Sequence, residues 1–82
     1  MSERKLMDIT HLQSECVVGY SRFANISISE SSKLFAKYNL FEFIKNCYEV
    51  LHLDDVEYVI KNDIADRISR ELIFWVIQTL MS

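Results

Sequence analysis

The polar residues that could do chemistry in this 82-residue chain gather around one histidine, His52. Asp54 and Asp55 follow it closely, so an imidazole and two carboxylates lie within four positions. Such a group could serve acid–base catalysis, because nearby carboxylates raise the pKa of an imidazole. The chain has no matching nucleophile, phosphate-binding loop or G-x-S-x-G turn. We therefore predict that His52 closes a helix and that the chain is not an enzyme, and we keep His52 with Asp54 or Asp55 as the alternative polar site.

Two Cys/His pairs raise the question of a metal site. His11 precedes Cys16, and Cys47 precedes His52, at the same five-residue spacing. Residues five apart on an α-helix point well over a right angle apart, whereas zinc ligands usually lie closer together on turns. The sequence therefore predicts no metal and no cofactor, and it predicts two free thiols of the kind found in a reducing cytoplasm.

Composition restricts the class of protein. Half of the residues are hydrophobic, with one glycine and no proline. Sheet-rich folds usually need more turn residues, whereas short helices can end at Asn or Ser. The first residues are charged and resemble no secretory signal, which favours a cytoplasmic protein. We predict an all-α fold, a compact bundle of four to five short helices, in a single domain over residues 1–82 with residues 1–7 frayed.

The first predicted helix begins near Asp8 and carries an apolar stripe. Its members are spaced three or four apart, as on one face of a helix. They are Ile9, Leu12, Cys16, Tyr20 and Phe23. Gly19 lies beside the stripe and costs helix stability, so it indicates close packing against another helix.

Two further helices are marked by their ends. Ser27 and Glu30 have the spacing of a capping box, which opens a helix over residues 28–38. Asn39 tolerates the left-handed conformation and is the predicted stop. A third helix is predicted over residues 41–51.

The predicted last helix follows a short one. Asp54 and Glu57 have cap spacing, and Asn62 is the predicted end of the short helix. Asp63 is the predicted cap of an apolar terminal helix over residues 64–81.

That terminal helix ends in an unusually apolar segment, with six consecutive large apolar residues from Leu72 to Ile77. The segment is shorter than a membrane span and lacks a basic flank, so no membrane contact is predicted. One stripe of the helix is predicted to enter the core: Ile64, Ile68, Leu72 and Trp75. The other side is predicted to be an interface with another chain: Ile73, Phe74, Ile77 and Met81.

Charge argues against a nucleic-acid partner without removing it as an alternative. The net charge is −3, and residues 46–82 alone carry −4. Phosphate binding needs clustered basic residues. The group that most resembles such a cluster combines aromatic and basic side chains on the second and third helices. It consists of Lys33, Lys37, Tyr38 and Lys45. A small nucleic-acid-binding regulator is the alternative function.

Residues 26–68 resemble a known family. The motifs are Leu34-Phe35-x-Lys37-Tyr38 and Tyr48-x-x-Leu51-His52. They resemble a family of short bacterial proteins of unknown function, often encoded beside an ADP-ribosyltransferase-like protein. The chain departs from the pattern at Asn39, where glycine is usual, and in the Leu53-Asp54-Asp55 turn. It also continues beyond the usual end.

The resemblance implies a small non-enzymatic protein that is antitoxin-like or accessory to its neighbour. The apolar terminal segment independently predicts a protein–protein interaction module that is homo-oligomeric. The expected partners are a second copy of the chain and a neighbouring-gene protein.

Overall fold

The fold is all-α, as the sequence predicts. A computed structural model describes residues 2–81, and within them every regular element is helical. The elements are α1 (Glu3–Ala24), α2 (Ile28–Lys37), α3 (Leu40–Asn46), α4 (Tyr48–Leu51), α5 (Val56–Val59), a π-helix (Ile60–Ile64) and α6 (Ala65–Met81). The last three follow one another without a break and form one continuous rod, Val56–Met81. Counting the rod once gives five helices, within the predicted four to five.

Left-handed asparagines separate the first three helices. Asn25 and Asn39 have φ angles of 56° and 57° and lie at the ends of α1 and α2, and Asn39 is the stop that the sequence predicts. Ser27 opens α2, since its hydroxyl accepts the Glu30 amide hydrogen at 3.0 Å. The Glu30 carboxylate accepts from the Ser27 hydroxyl at 3.3 Å, so the capping box closes between the two side chains.

Helix α1 is the scaffold on which the other elements pack. Its stripe Ile9, Leu12, Cys16 and Tyr20 is buried. The buried Ser31 hydroxyl donates to the Val17 carbonyl at 2.8 Å and ties α2 to α1. The Gln13 amide donates to the Phe41 carbonyl at 2.9 Å and ties α3 to α1. These two bonds satisfy polar groups at helix contacts, where an unpaired group would destabilise the fold.

Three local expectations are wrong. Helix α1 begins at Glu3, capped by Ser2, rather than near Asp8. The helix predicted over residues 41–51 divides at Cys47 into α3 and α4. Phe23 continues the stripe of α1 in sequence but is 52% exposed, and it lies one residue before the end of that helix.

The predicted break at Asn62 and Asp63 is also wrong, because the chain there forms the π-helix and continues into α6. On an α-helix, side chains four residues apart point about 40° apart, so a row with that spacing gradually turns away from one face. The π-helix accommodates one extra residue in its turn, and this offsets the rotation. Ile60, Ile64 and Ile68 consequently stay on one face and are all buried. The π-helix is thus what keeps the two parts of the rod in register on the core.

Beyond Ile68 the rod leaves the core. Every described residue from Ser69 to Met81 is exposed. The molecule is accordingly elongated, with principal extents of 46 × 25 × 21 Å. The core lies at the end formed by α1 to α5, the π-helix and the first turn of α6.

Candidate functional site

The apolar end of α6, residues Leu72–Met81, is the main candidate site, and we call it the terminal segment. Eight of its ten side chains are large and apolar, and all are exposed. They are Leu72, Ile73, Phe74, Trp75, Val76, Ile77, Leu80 and Met81. The predicted interface residues Ile73, Phe74, Ile77 and Met81 are thus accessible, and their role stays a prediction. Leu72 and Trp75, predicted as core, are 45% and 62% exposed, so that prediction is wrong.

The reason for the exposed Leu72 and Trp75 is the geometry of the rod. Both continue the face of Ile64 and Ile68, but no other helix extends far enough to cover that face beyond Ile68. The exposed apolar area of the segment is on the order of 1,000 Å², against roughly 300–600 Å² for the largest patch on a typical monomer. The polar Thr79 hydroxyl donates to the Trp75 carbonyl at 2.9 Å. The segment is therefore an apolar surface with little polar chemistry of its own.

A second apolar surface lies between α1 and the first half of the rod, and we call it the α1–α5 groove. It is open, with a volume of about 710 Å³. Its apolar lining comes from both walls: Val18, Gly19, Phe23, Val56 and Ile60. Charged residues surround this lining: Glu15, Arg22, Glu57 and Lys61.

Gly19 forms the bottom of the α1–α5 groove. A Cβ atom built on Gly19 would lie 2.2 Å from Cδ1 of Ile60. The missing side chain therefore lets α1 approach the rod closely, as the sequence predicts. Sequence reasoning did not find the groove itself. Gly19 and Phe23 were its signals, but the groove appears only once the direction of the rod is known.

The predicted polar site divides into two parts. The His52 ring stacks on Tyr48 at a centroid distance of 4.8 Å, and its Nδ1 lies 2.7 Å from the Tyr48 carbonyl oxygen. Since a carbonyl only accepts, Nδ1 carries the proton in this bond. Asp55 is the N-cap of α5 and accepts from the Glu57 amide at 3.4 Å. His52 therefore closes α4 as predicted, and Asp55 is occupied with opening α5.

Asp54 does lie near His52, in a shallow pocket that also contains His11 and Glu15. The pocket has a volume of about 230 Å³ and is open to solvent. The structure thus brings together His11 and His52, which the sequence had paired with cysteines instead. His52 is exposed and hydrogen-bonded to its own helix, in a pocket that three carboxylates and the Tyr48 side chain also line, and its role as an alternative polar site stays a prediction.

The two cysteines lie apart from this pocket and are free thiols. Cys16 is fully buried, and burial raises the pKa of its thiol to about 11, with a further contribution from Glu15. A thiol with so high a pKa is protonated at neutral pH and is a poor nucleophile and metal ligand. Among residues 2–81, no group of three or more His, Cys, Asp or Glu side chains has a geometry that could hold a metal ion.

The lysines of the nucleic-acid alternative lie on two helices. Lys33 and Lys37 are exposed on α2, and Lys45 is exposed on α3. The Lys37 ammonium lies 5.3 Å from the centroid of the Tyr38 ring. This cation–π contact uses one face of the Tyr38 ring, the one aromatic side chain of the predicted group. Binding of nucleic acid by these residues stays a prediction.

In the part of the chain from Ser2 to Met81, no helix is both long enough and apolar enough to span a membrane.

Comparison with known proteins identifies the family. Residues 11–71 match the family described as a protein of unknown function, DUF3791. The chain belongs to this family. No curated protein and no solved structure matches it. The DUF3791 match includes the α1–α5 groove and the lining of the His52 pocket apart from Asp8, and it ends one residue before the terminal segment.

Proposed function

We propose that this DUF3791 chain is a non-enzymatic protein–protein interaction module that forms homo-oligomers through its terminal segment. The observation that carries the proposal is the exposure of eight large apolar side chains on one helix end. Water contact with such a surface is unfavourable at about 25 cal/mol per Å². Burial of about 800 Å² on each of two copies would give an interface of standard size.

The experiment is light scattering over about two decades of concentration, because a homo-oligomer dissociates by mass action on dilution. We expect the wild type to form an oligomer, and the double variant Phe74→Glu/Ile77→Glu to be a folded monomer. Ser29→Glu is the matched control, since it adds a carboxylate to an exposed position of α2, away from the terminal segment. Circular dichroism checks that all three chains are equally helical.

Two outcomes would contradict the proposal. A wild type that is monomeric throughout would show that the terminal segment does not associate. A double variant that loses its helical signal would show that Phe74 and Ile77 contribute to the fold of the monomer.

The resemblance to short bacterial proteins supports a more specific role, antitoxin-like or accessory to a neighbouring toxin-like enzyme. The two free thiols support a reducing compartment such as the cytoplasm. Co-expression with the protein encoded beside it tests the role: we expect a stable complex that survives gel filtration. Separate elution of the two proteins would contradict it.

A further inference from the structure

We propose that the terminal segment of each copy lies in the α1–α5 groove of a second copy, with two-fold symmetry. The inference rests on the proposed function, because it names the surface that the segment contacts. Each chain carries one uncovered apolar helix end and one uncovered apolar groove. A reciprocal exchange covers both surfaces of both copies and closes the assembly at a dimer.

The breadth of the apolar surface favours a groove over a single helix as its contact. At about 100° per residue, the apolar positions of the terminal segment other than Trp75 span an arc of about 200°. A helix packed on one neighbour buries a stripe little wider than about 100°. Two terminal segments paired only with each other would therefore leave much of the arc in water. A groove with two helical walls covers more of it.

The α1–α5 groove has the character of a protein interface. Its apolar lining is surrounded by two acidic and two basic side chains. An apolar centre with a polar rim is typical of protein–protein interfaces. Phe23 is 52% exposed in the groove, where a segment rich in aromatic and aliphatic side chains would cover it. The uncharged terminal segment complements the apolar lining and leaves the charged rim in water.

The rod makes the reciprocal arrangement geometrically simple. The groove uses residues 56–61 of the rod, and the terminal segment is residues 72–81 of the same rod. Two rods aligned antiparallel about an axis near residues 67–68 place each terminal segment beside residues 56–61 of the other copy. One symmetry operation therefore brings both pairs of surfaces together.

The first test is a pair of charge variants on α1. Phe23 lines the groove and Met7 does not, although both are exposed apolar residues, at 52% and 62%. We expect Phe23→Glu to raise the dimer dissociation constant at least tenfold and Met7→Glu to leave it within twofold, measured by sedimentation equilibrium. Ser14→Trp, which would fill the groove from an exposed position, is expected to act like Phe23→Glu. If Phe23→Glu fails to fold, the dissociation constant of Ser14→Trp tests the groove instead.

The second test mixes two defective chains. One carries Phe23→Glu in the groove, and the other carries Phe74→Glu/Ile77→Glu in the terminal segment. The first chain keeps an intact terminal segment and the second keeps an intact groove, so their heterodimer contains one undamaged contact that neither homodimer has. We therefore expect the heterodimer to be at least tenfold tighter than either homodimer. Titration of one labelled chain with the other, followed by fluorescence anisotropy, measures it.

The outcomes separate this inference from the proposed function. Dimers of Phe23→Glu and Ser14→Trp as tight as wild type would overturn the groove and leave association through the terminal segment intact. Failure of the two defective chains to combine would also overturn it. An open polymer of the wild type would overturn the reciprocal arrangement. A monomeric wild type would remove the proposed function and this inference together.

Discussion

The two halves of the rod Val56–Met81 are both rich in large apolar residues, yet they have opposite environments. In the first half, Val59, Ile60, Ile64 and Ile68 are at most 4% exposed. In the second half, no described residue is buried. The same helix therefore contains core and bare apolar surface. Apolar character along a helix shows that it needs a contact, and only the length of the neighbouring helices decides whether that contact lies within the chain.

The largest expected effect compares two isoleucines on this rod. Ile64→Ala removes a fully buried side chain and should lower the free energy of unfolding by about 2–5 kcal/mol. Ile77→Ala shortens a side chain that is 48% exposed and should change monomer stability by less than about 0.5 kcal/mol. Urea denaturation at a concentration where the chain is monomeric measures both.

A second measurement at high concentration sharpens the same comparison. Ile77→Ala should then lower the apparent stability relative to wild type, because association stabilises the folded state and the variant associates less. The loss for Ile64→Ala should be present at both concentrations. Equal losses for the two variants in the dilute sample would show that the terminal segment belongs to the monomer core.

The two halves of the rod also show which features of the fold the sequence could predict. The helix ends at Asn25, Ser27 and Asn39 depend on bonds to residues three or four positions away, so local sequence predicts them. The stripe from Ile64 to Trp75 was correct as a face of a helix, and its burial was correct for Ile64 and Ile68 but wrong for Leu72 and Trp75. Burial depends on where other helices end, and that information is not local.

The candidate sites show the same limit. The exposed interface candidates followed from composition, because so apolar a segment needs a partner. The α1–α5 groove did not, since α1 and α5 are separated by the three intervening elements α2, α3 and α4. Of the predicted polar site, Asp54 lines the same shallow pocket as His52, whereas the Asp55 carboxylate is occupied with the N-terminus of α5. The spacing of Asp54 and Glu57 predicted Asp54 as the cap of this helix, and that prediction is wrong, because Asp55 is the N-cap of α5.

The next effect concerns the π-helix in the first half of the rod. Deletion of the exposed Asn62 should convert it into regular α-helix and keep Ile64 and Ile68 on the core face. We expect a change in the free energy of unfolding below about 1 kcal/mol.

Insertion of one alanine after Asn62 is the matched control. It should rotate the rest of the rod by about 100° and remove both isoleucines from the core. Exposure of a buried isoleucine costs about 1.5–3 kcal/mol, so the insertion should destabilise the chain far more than the deletion. Thermal unfolding followed by circular dichroism compares them, and equal losses would show that the π-helix does not set the register of α6.

The smallest effect concerns the other end of the rod, where two adjacent aspartates have different positions. Asp55 caps α5 with a long hydrogen bond to the Glu57 amide, so Asp55→Ala should cost about 0.5–1 kcal/mol. Asp54 is exposed in the shallow pocket beside His11 and His52, and Asp54→Ala should change stability by less than about 0.5 kcal/mol. Urea denaturation of the two variants at neutral pH gives the difference directly.

A greater loss for Asp54→Ala would mean that its carboxylate stabilises the histidine pocket, and it would support His52 and Asp54 as a polar site. The expected order instead makes the start of the rod a structural cap, in contrast to the terminal segment at the opposite end, where we propose an interface.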